Sequence, residues 1–137
     1  MVRDLVISHF SGTILFYCAH RLFHKSKFLY KFHIVHHEFN YPVGIRAVYT
    51  HPVDYVFGNI LPLAITPFFI DTDVYTLTML SIIGPFKTII EEHSEHTQNR
   101  HHLDHHKYYN CNYGAVWIDT LCGTKKKNRK SYFICYY

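Results

Sequence analysis

Apolar residues fall into three long runs separated by short polar stretches. "LVISHFSGTILFYCAHRLF" covers residues 5–23, "VDYVFGNILPLAITPFFI" covers 53–70, and "VYTLTMLSIIGPFKTII" covers 74–90. Each is close to the roughly 17–25 residues that a membrane-crossing helix needs. The apolar positions continue nearly all the way round, where an amphipathic soluble helix would show one stripe. Polar residues interrupt the runs: His9 and His20 in the first, Asp54 and Asn59 in the second, Lys87 in the third. Only "DTD", residues 71–73, joins the second run to the third, a length that suits a tight helical hairpin. Buried helices of a soluble bundle would share such runs. The all-round pattern favours an all-α, membrane-embedded helical bundle.

Charge gives that bundle a direction. The 71–73 turn carries no Lys or Arg, whereas Lys25, Lys27, Lys31, Lys107 and the "KKKNRK" run at 125–130 sit at the other end, with the histidines. The positive-inside tendency then predicts a histidine-rich helical cap facing the cytosol. The chain has 137 residues, the size of one domain. Aromatic content is 18%, with 12 Tyr and 11 Phe, which fits contact with a membrane interface. A net charge of +4 gives little support to nucleic acid as a partner. The basic-aromatic tail, 125–137, reads as a solvated segment beside a membrane rather than a nuclear signal. No signal peptide with a cleavage site is recognisable. Cys18, Cys111, Cys122 and Cys135 form no C-x-x-C pair and read as reduced packing residues.

The 13 histidines are grouped. His20 and His24 form H-x-x-x-H; His33, His36 and His37 form H-x-x-H-H; His93 and His96 follow; His102, His105 and His106 form a second H-x-x-H-H. Positions i, i+3 and i+4 share a helix face, so each box predicts a set of rings pointing together. Imidazole is the commonest metal-binding side chain and suits Zn, Cu, Fe and Ni. One box alone is a weak signal. Ten histidines in four groups predict a cage for two metals. Structural zinc sites usually include cysteine, and no suitable cysteine pair is present. Spacing leaves a redox centre that activates oxygen and a hydrolase with a metal-bound water both open.

"HRLFH" (20–24), "KFHIVHHEFNYPVGIRAVYTHPVD" (31–54), "EEHS" (91–94), "RHHLDHH" (100–106), "NYG" (112–114) and "WIDTLCGT" (117–124) resemble the fatty acid hydroxylase / sterol desaturase superfamily. Within it they are most similar to the sterol C4-methyl monooxygenases, in which a VHHEF segment precedes Pro-x-Gly and then Tyr-x-His-Pro. The resemblance covers about residues 17–124, and it assigns a domain to 1–124. It implies a membrane-bound di-iron oxygenase: two Fe ions, O₂, and electrons from NAD(P)H through cytochrome b5 or a similar carrier. The implied substrate is a sterol-like or fatty acyl lipid, and the implied location is the endoplasmic reticulum membrane. His20, His24, His33, His36, His37, His93, His102, His105 and His106 match family ligand positions. His96 stands where the sterol C4 enzymes usually read Tyr in His-Ser-Gly-Tyr, and related hydroxylases place a further histidine near there. No catalytic residue beyond these ligands is implied.

His51 matches the Tyr-x-His-Pro position and reads as a hydrogen-bonding residue or a helix start. Asp104 either holds a ligand imidazole in its metal-binding tautomer or is solvated. Asp119 matches a family Trp-Asp motif, and His9 and His101 read as non-ligands. Relatives usually carry one or two further membrane helices before the first box and a longer stretch before the last. The chain therefore reads as shortened on its N-terminal side. That leaves a non-catalytic homologue that binds metal or lipid as the alternative to an active hydroxylase. A soluble histidine-rich metal-storage or zinc hydrolase domain is the third reading.

Overall fold

The computed structural model describes residues 1–38, 44–92 and 100–126, and all regular structure among them is helical. Helix α1 (Val2–Lys25) is the longest, with 24 residues. It ends at Ser26, whose extended backbone (φ −85°, ψ 116°) breaks the helical path. The Ser26 hydroxyl then accepts the Leu29 N–H at 3.3 Å and caps α2 (Lys27–His33). One serine thus ends one helix and begins the next, and the corner folds His33 back onto His20 and His24.

A short 3₁₀ turn, Gly44–Ala47, leads to α3 (Pro52–Asp54). His51 starts α3: its Nδ1 accepts the Val53 N–H at 3.1 Å, and Pro52 supplies a φ already suited to a helix. The path continues through a π-helical stretch, Tyr55–Ile60, into α4 (Leu61–Phe69). Asp71 takes a φ of 50° in the following turn. Asp73 caps α5 (Val74–Lys87), accepting the Thr76 N–H at 3.0 Å and the Thr76 hydroxyl at 2.7 Å. The chain turns at 71–73, as the spacing predicts, but α4 packs along α1 rather than pairing closely with α5. Gly12 permits this approach, since a Cβ there would lie 3.3 Å from a Leu63 methyl. A second π-helical stretch, Thr88–Glu92, follows α5; α6 (Arg100–Tyr108) and α7 (Val116–Leu121) complete the helices.

Burial is inverted relative to an ordinary soluble domain. Among the described residues the buried apolar side chains are Tyr17, Phe23, Tyr113 and Ile118. The rest of the interior is polar: seven histidines with Asp54, Asp119, Arg46 and Asn112 among their buried neighbours. Meanwhile Phe68 and Phe69 at the end of α4, and Val74, Tyr75, Ile82, Ile83 and Phe86 on α5, are exposed. Contiguous exposed apolar surface of this kind marks an interaction face.

No helix among the described residues is long and apolar enough to cross a membrane. This differs from the three spans that the apolar runs predict, and the reasons are local. Helix α1 has the length, but Ser8, His9, Ser11, Gly12, Thr13, His20 and Arg21 interrupt its apolar residues. The other two runs are divided where α-helix gives way to π-helix, beside Gly58 in one and after Pro85 in the other. A proline removes a backbone donor, and π-helical turns commonly form where the i→i−4 ladder is disturbed.

The π-helical stretch also fits around a carboxylate. A Cβ added at Gly58 would collide with the Asp54 carboxylate oxygen. Gly58→Ala should therefore destabilise the fold by roughly 1–3 kcal/mol, the usual cost of forcing atoms into a filled site. Thermal or denaturant unfolding measures this, and a midpoint equal to wild type would mean that the stretch relaxes freely.

Candidate metal centre

Eight of the ten predicted ligands converge into two groups. Nitrogens of His20, His24, His33, His37 and His105 lie within 4.8 Å of one another, and so do those of His36, His102 and His106. His93 and His96 lie outside the described residues. The two groups are neighbours: the His37 ring centroid is 4.5 Å from that of His106, and the His105 centroid is 5.5 Å from that of His102. Among the described residues no cysteine or carboxylate joins either group.

The boxes do not each point one way. His33 and His37 serve the five-ring group, whereas His36 between them serves the three-ring group. The last box mirrors this, with His102 and His106 in the three-ring group and His105 in the other. A shared helix face therefore holds for i and i+4 but not for i+3. The physical reason differs between the two boxes. Helix α2 stops at His33, and the backbone N–H groups of His36 and His37 bond three residues back, so this box leaves the regular α-helical path that a shared face requires. On α6 the turn is regular, and the two groups simply flank the helix.

Within the five-ring group, Nε2 atoms meet Nε2 atoms. His20 to His33, His24 to His105 and His33 to His37 are each 3.1 Å apart, and His24 to His37 is 3.2 Å. The opposite side of three rings faces acceptors that have no proton to give. His33 Nδ1 donates to Asp54 Oδ2 at 2.8 Å, His20 Nδ1 to the Tyr113 carbonyl at 2.6 Å, and His105 Nδ1 to the Cys111 carbonyl at 2.7 Å. These partners assign the proton of each neutral ring to Nδ1, so Nε2 carries a bare lone pair. Bare lone pairs this close repel unless a cation lies between them. Two nitrogens about 2.1 Å from one ion at a right angle would be about 3.0 Å apart, the spacing seen here. The donor set fits a metal ion. In the three-ring group, His102 and His106 meet through Nε2 at 3.0 Å in the same manner.

Electrostatics agree. Burial pushes the pKa of His24, His37, His105 and His106 far below the ordinary 6.5, and neighbouring imidazoles push in the same direction. These rings are neutral near pH 7, the form that binds metals.

Asp54 holds His33 from behind and is itself held by the Thr50 hydroxyl at 2.6 Å. The sequence pattern offers Asp104 for such a role, but Asp104 pairs with Lys126 at 3.1 Å near the surface. The overlooked signal was position: a carboxylate inside an apolar run needs a buried partner. The carbonyls of Cys111 and Tyr113 were also missed, because main-chain acceptors leave no mark in a side-chain pattern. His51 is the helix start described above, His9 is exposed on α1, and His101 bonds Asp119 at 2.9 Å outside both groups.

Among the described residues, paired groups made only of histidine nitrogens have the donor chemistry to hold metal ions. The family model described as fatty acid hydroxylase matches residues 5–124, and this chain belongs to that family. Among its relatives, fatty acid hydroxylase domain-containing protein 2 of Macaca fascicularis is 32% identical, over 94% of this chain and 41% of the relative. Methylsterol monooxygenase 1 of Rattus norvegicus is 31% identical, over 79% of this chain and 41% of the relative. A very-long-chain aldehyde decarbonylase of Oryza sativa subsp. indica is 28% identical, over 85% of this chain and 50% of the relative. The chain thus spans about two fifths of the length of the first of these curated relatives. No solved structure matches.

Two outcomes follow from this geometry. Asp54→Ala leaves the His33 Nδ1–H without its acceptor and should weaken metal binding at the five-ring group about 10–100-fold. Asp54→Asn, which keeps one acceptor oxygen, should fall between that variant and wild type; equal affinities in a metal titration would refute the role. The second outcome concerns pH. The lowered histidine pKa values mean that the unfolded chain binds more protons than the folded one below pH 6.5. Folding stability should therefore fall as pH drops through that value. Thermal midpoints at about pH 7.5 and about pH 5.5 test this, and equal midpoints would mean that the rings titrate as in water.

Proposed function

We propose that this chain is the oxygenase domain of a membrane-bound di-iron enzyme that hydroxylates a lipid C–H bond. The observation that carries the reading is the pair of adjacent nitrogen-only groups with interleaved ligands. His93 and His96, the other two predicted ligands, lie outside the described residues. The donor set suits iron as it suits zinc or copper, and the family's usual iron dependence supports iron.

The overall reaction is R–H + O₂ + two electrons + two protons giving R–OH + H₂O. A bound iron pair supplies the oxygen chemistry. The chain's own residues do the rest. Imidazoles hold the ions; Asp54 and the Cys111 and Tyr113 carbonyls keep protons on the outer ring nitrogens. Phe16 against His20 and Phe23 against His33 exclude water from one side. Electrons come from NAD(P)H through a carrier of the cytochrome b5 type.

The exposed apolar side chains of α4 and α5 support a lipid-embedded face, and a substrate that reaches the site without crossing water. The lysines beside the histidines support a cytosolic orientation, at the endoplasmic reticulum. Relatives named for methylsterol oxidation support a sterol C4-methyl group as the first substrate to try, with fatty acyl chains next.

Detergent-purified protein should hold about two irons per chain, a count consistent with paired histidine sites. His105→Ala and His106→Ala should each remove about one, from different groups. Incubation with C4-methyl sterol or fatty acyl lipid, NAD(P)H and the carrier should give an O₂-dependent hydroxylated product. Absence of bound metal in iron-replete preparations would overturn the di-iron reading. Full metal loading without any O₂-dependent lipid product would overturn the oxygenase.

A further inference from the structure

Two rings of the five-ring group are aimed by carbonyls of one short segment. Cys111 C=O accepts from His105 and Tyr113 C=O accepts from His20. Asn112, between them, takes a φ of 57°. That left-handed residue bends the segment, and asparagine is among the few side chains that adopt it readily. Residues 111–113 thus form a strap serving rings from two helices, α1 and α6.

A carbonyl orients a ring only as well as it is held itself, and this strap is held by side chains that touch no ligand ring. Asp119 is fully buried on α7. Its carboxylate accepts the Tyr113 N–H at 2.9 Å, the Gly114 N–H at 2.9 Å, the Thr124 hydroxyl at 2.7 Å and the His101 Nε2–H at 2.9 Å. Burial alone would raise its pKa, but these four donors outweigh it and keep the carboxylate ionised. Asn112 adds a second anchor: its amide donates to the His101 carbonyl at 2.9 Å and its oxygen accepts the Lys126 N–H at 2.7 Å.

We propose that Asp119 is a positioning residue for the five-ring metal site, clamping the 111–113 strap so that the Tyr113 carbonyl fixes His20 with Nε2 inward. The clamp rests on the reading that this group holds a metal. It assigns a task to the acidic residue of "WIDTLCGT" that lies outside the ligand set. A residue that merely stabilised the fold would affect both histidine groups alike. A clamp on the strap acts on the five-ring group, whose His20 and His105 it aims, and spares His36, His102 and His106.

Asp119→Asn is the test. The amide offers one acceptor oxygen where the carboxylate offers two, and turns an NH₂ toward groups that are themselves donors. Metal-stripped protein in detergent is titrated with cobalt(II), and absorption bands are assigned using His105→Ala for the five-ring group and His106→Ala for the three-ring group. Circular dichroism monitors helicity throughout. The expected result is affinity weakened about 10–100-fold for the ion whose band His105→Ala removes, with the other ion unchanged. Thr124→Val, which removes one of the four donors and leaves the carboxylate, should give a smaller shift of the same kind and replaces Asp119→Asn if that variant does not fold. Equal weakening of both ions, or none, overturns the clamp. Wild-type protein that takes up no cobalt overturns the metal reading itself, and the clamp with it.

Discussion

The site depends on one constraint: the outer nitrogen of an imidazole must give its proton away from the cage. His20, His33 and His105 do so to two carbonyls and a carboxylate, none of which can return a proton. That fixes both the tautomer and the ring plane, and it leaves the inner nitrogens with lone pairs only. Much of the surrounding structure maintains those outward bonds. Thr50 and Gly58 accommodate Asp54, and residues 111–114 bring the carbonyls into place. The helices carry the rings, but the partners behind the rings decide where they aim.

The consequence for stability is unusual. A domain of this size normally rests on a contiguous apolar core, yet among the described residues the buried apolar cluster is Tyr17, Tyr113 and Ile118, with Ala115 packed against it. The centre of the molecule is instead a set of polar groups whose desolvation is costly unless every one is satisfied. Ligand nitrogens brought together in this way favour folding when an ion binds them, since metal affinity and folding free energy are then linked. The apolar side chains that would ordinarily fill a core lie on the outside of α4 and α5.

Much of this was legible in the sequence, for identifiable reasons. Histidine spacing is a strong signal because imidazole is rare and chemically specific, so the participation of His20, His24, His33, His36, His37, His102, His105 and His106 in one site could be read directly. The helix start at His51 follows from ordinary capping chemistry. The partition of each box between two groups could not be read, because it depends on where α2 stops and on how α6 sits between neighbours. Asp54 was hidden by its place in an apolar run, and the strap carbonyls by belonging to the main chain. The apolar runs overstate regular helix, because sequence hydropathy does not register the π-helical turns at Tyr55–Ile60 and Thr88–Glu92.

His36 and His37 are consecutive, as are His105 and His106, and in each pair the two residues belong to different groups. Neighbouring Cα atoms are about 3.8 Å apart across a trans peptide bond, a distance that helix motions cannot stretch. The two groups are therefore tied to each other by a single peptide link at two places, in separate parts of the chain. Motion of α6, or of the turn after α2, thus carries a member of each group with it.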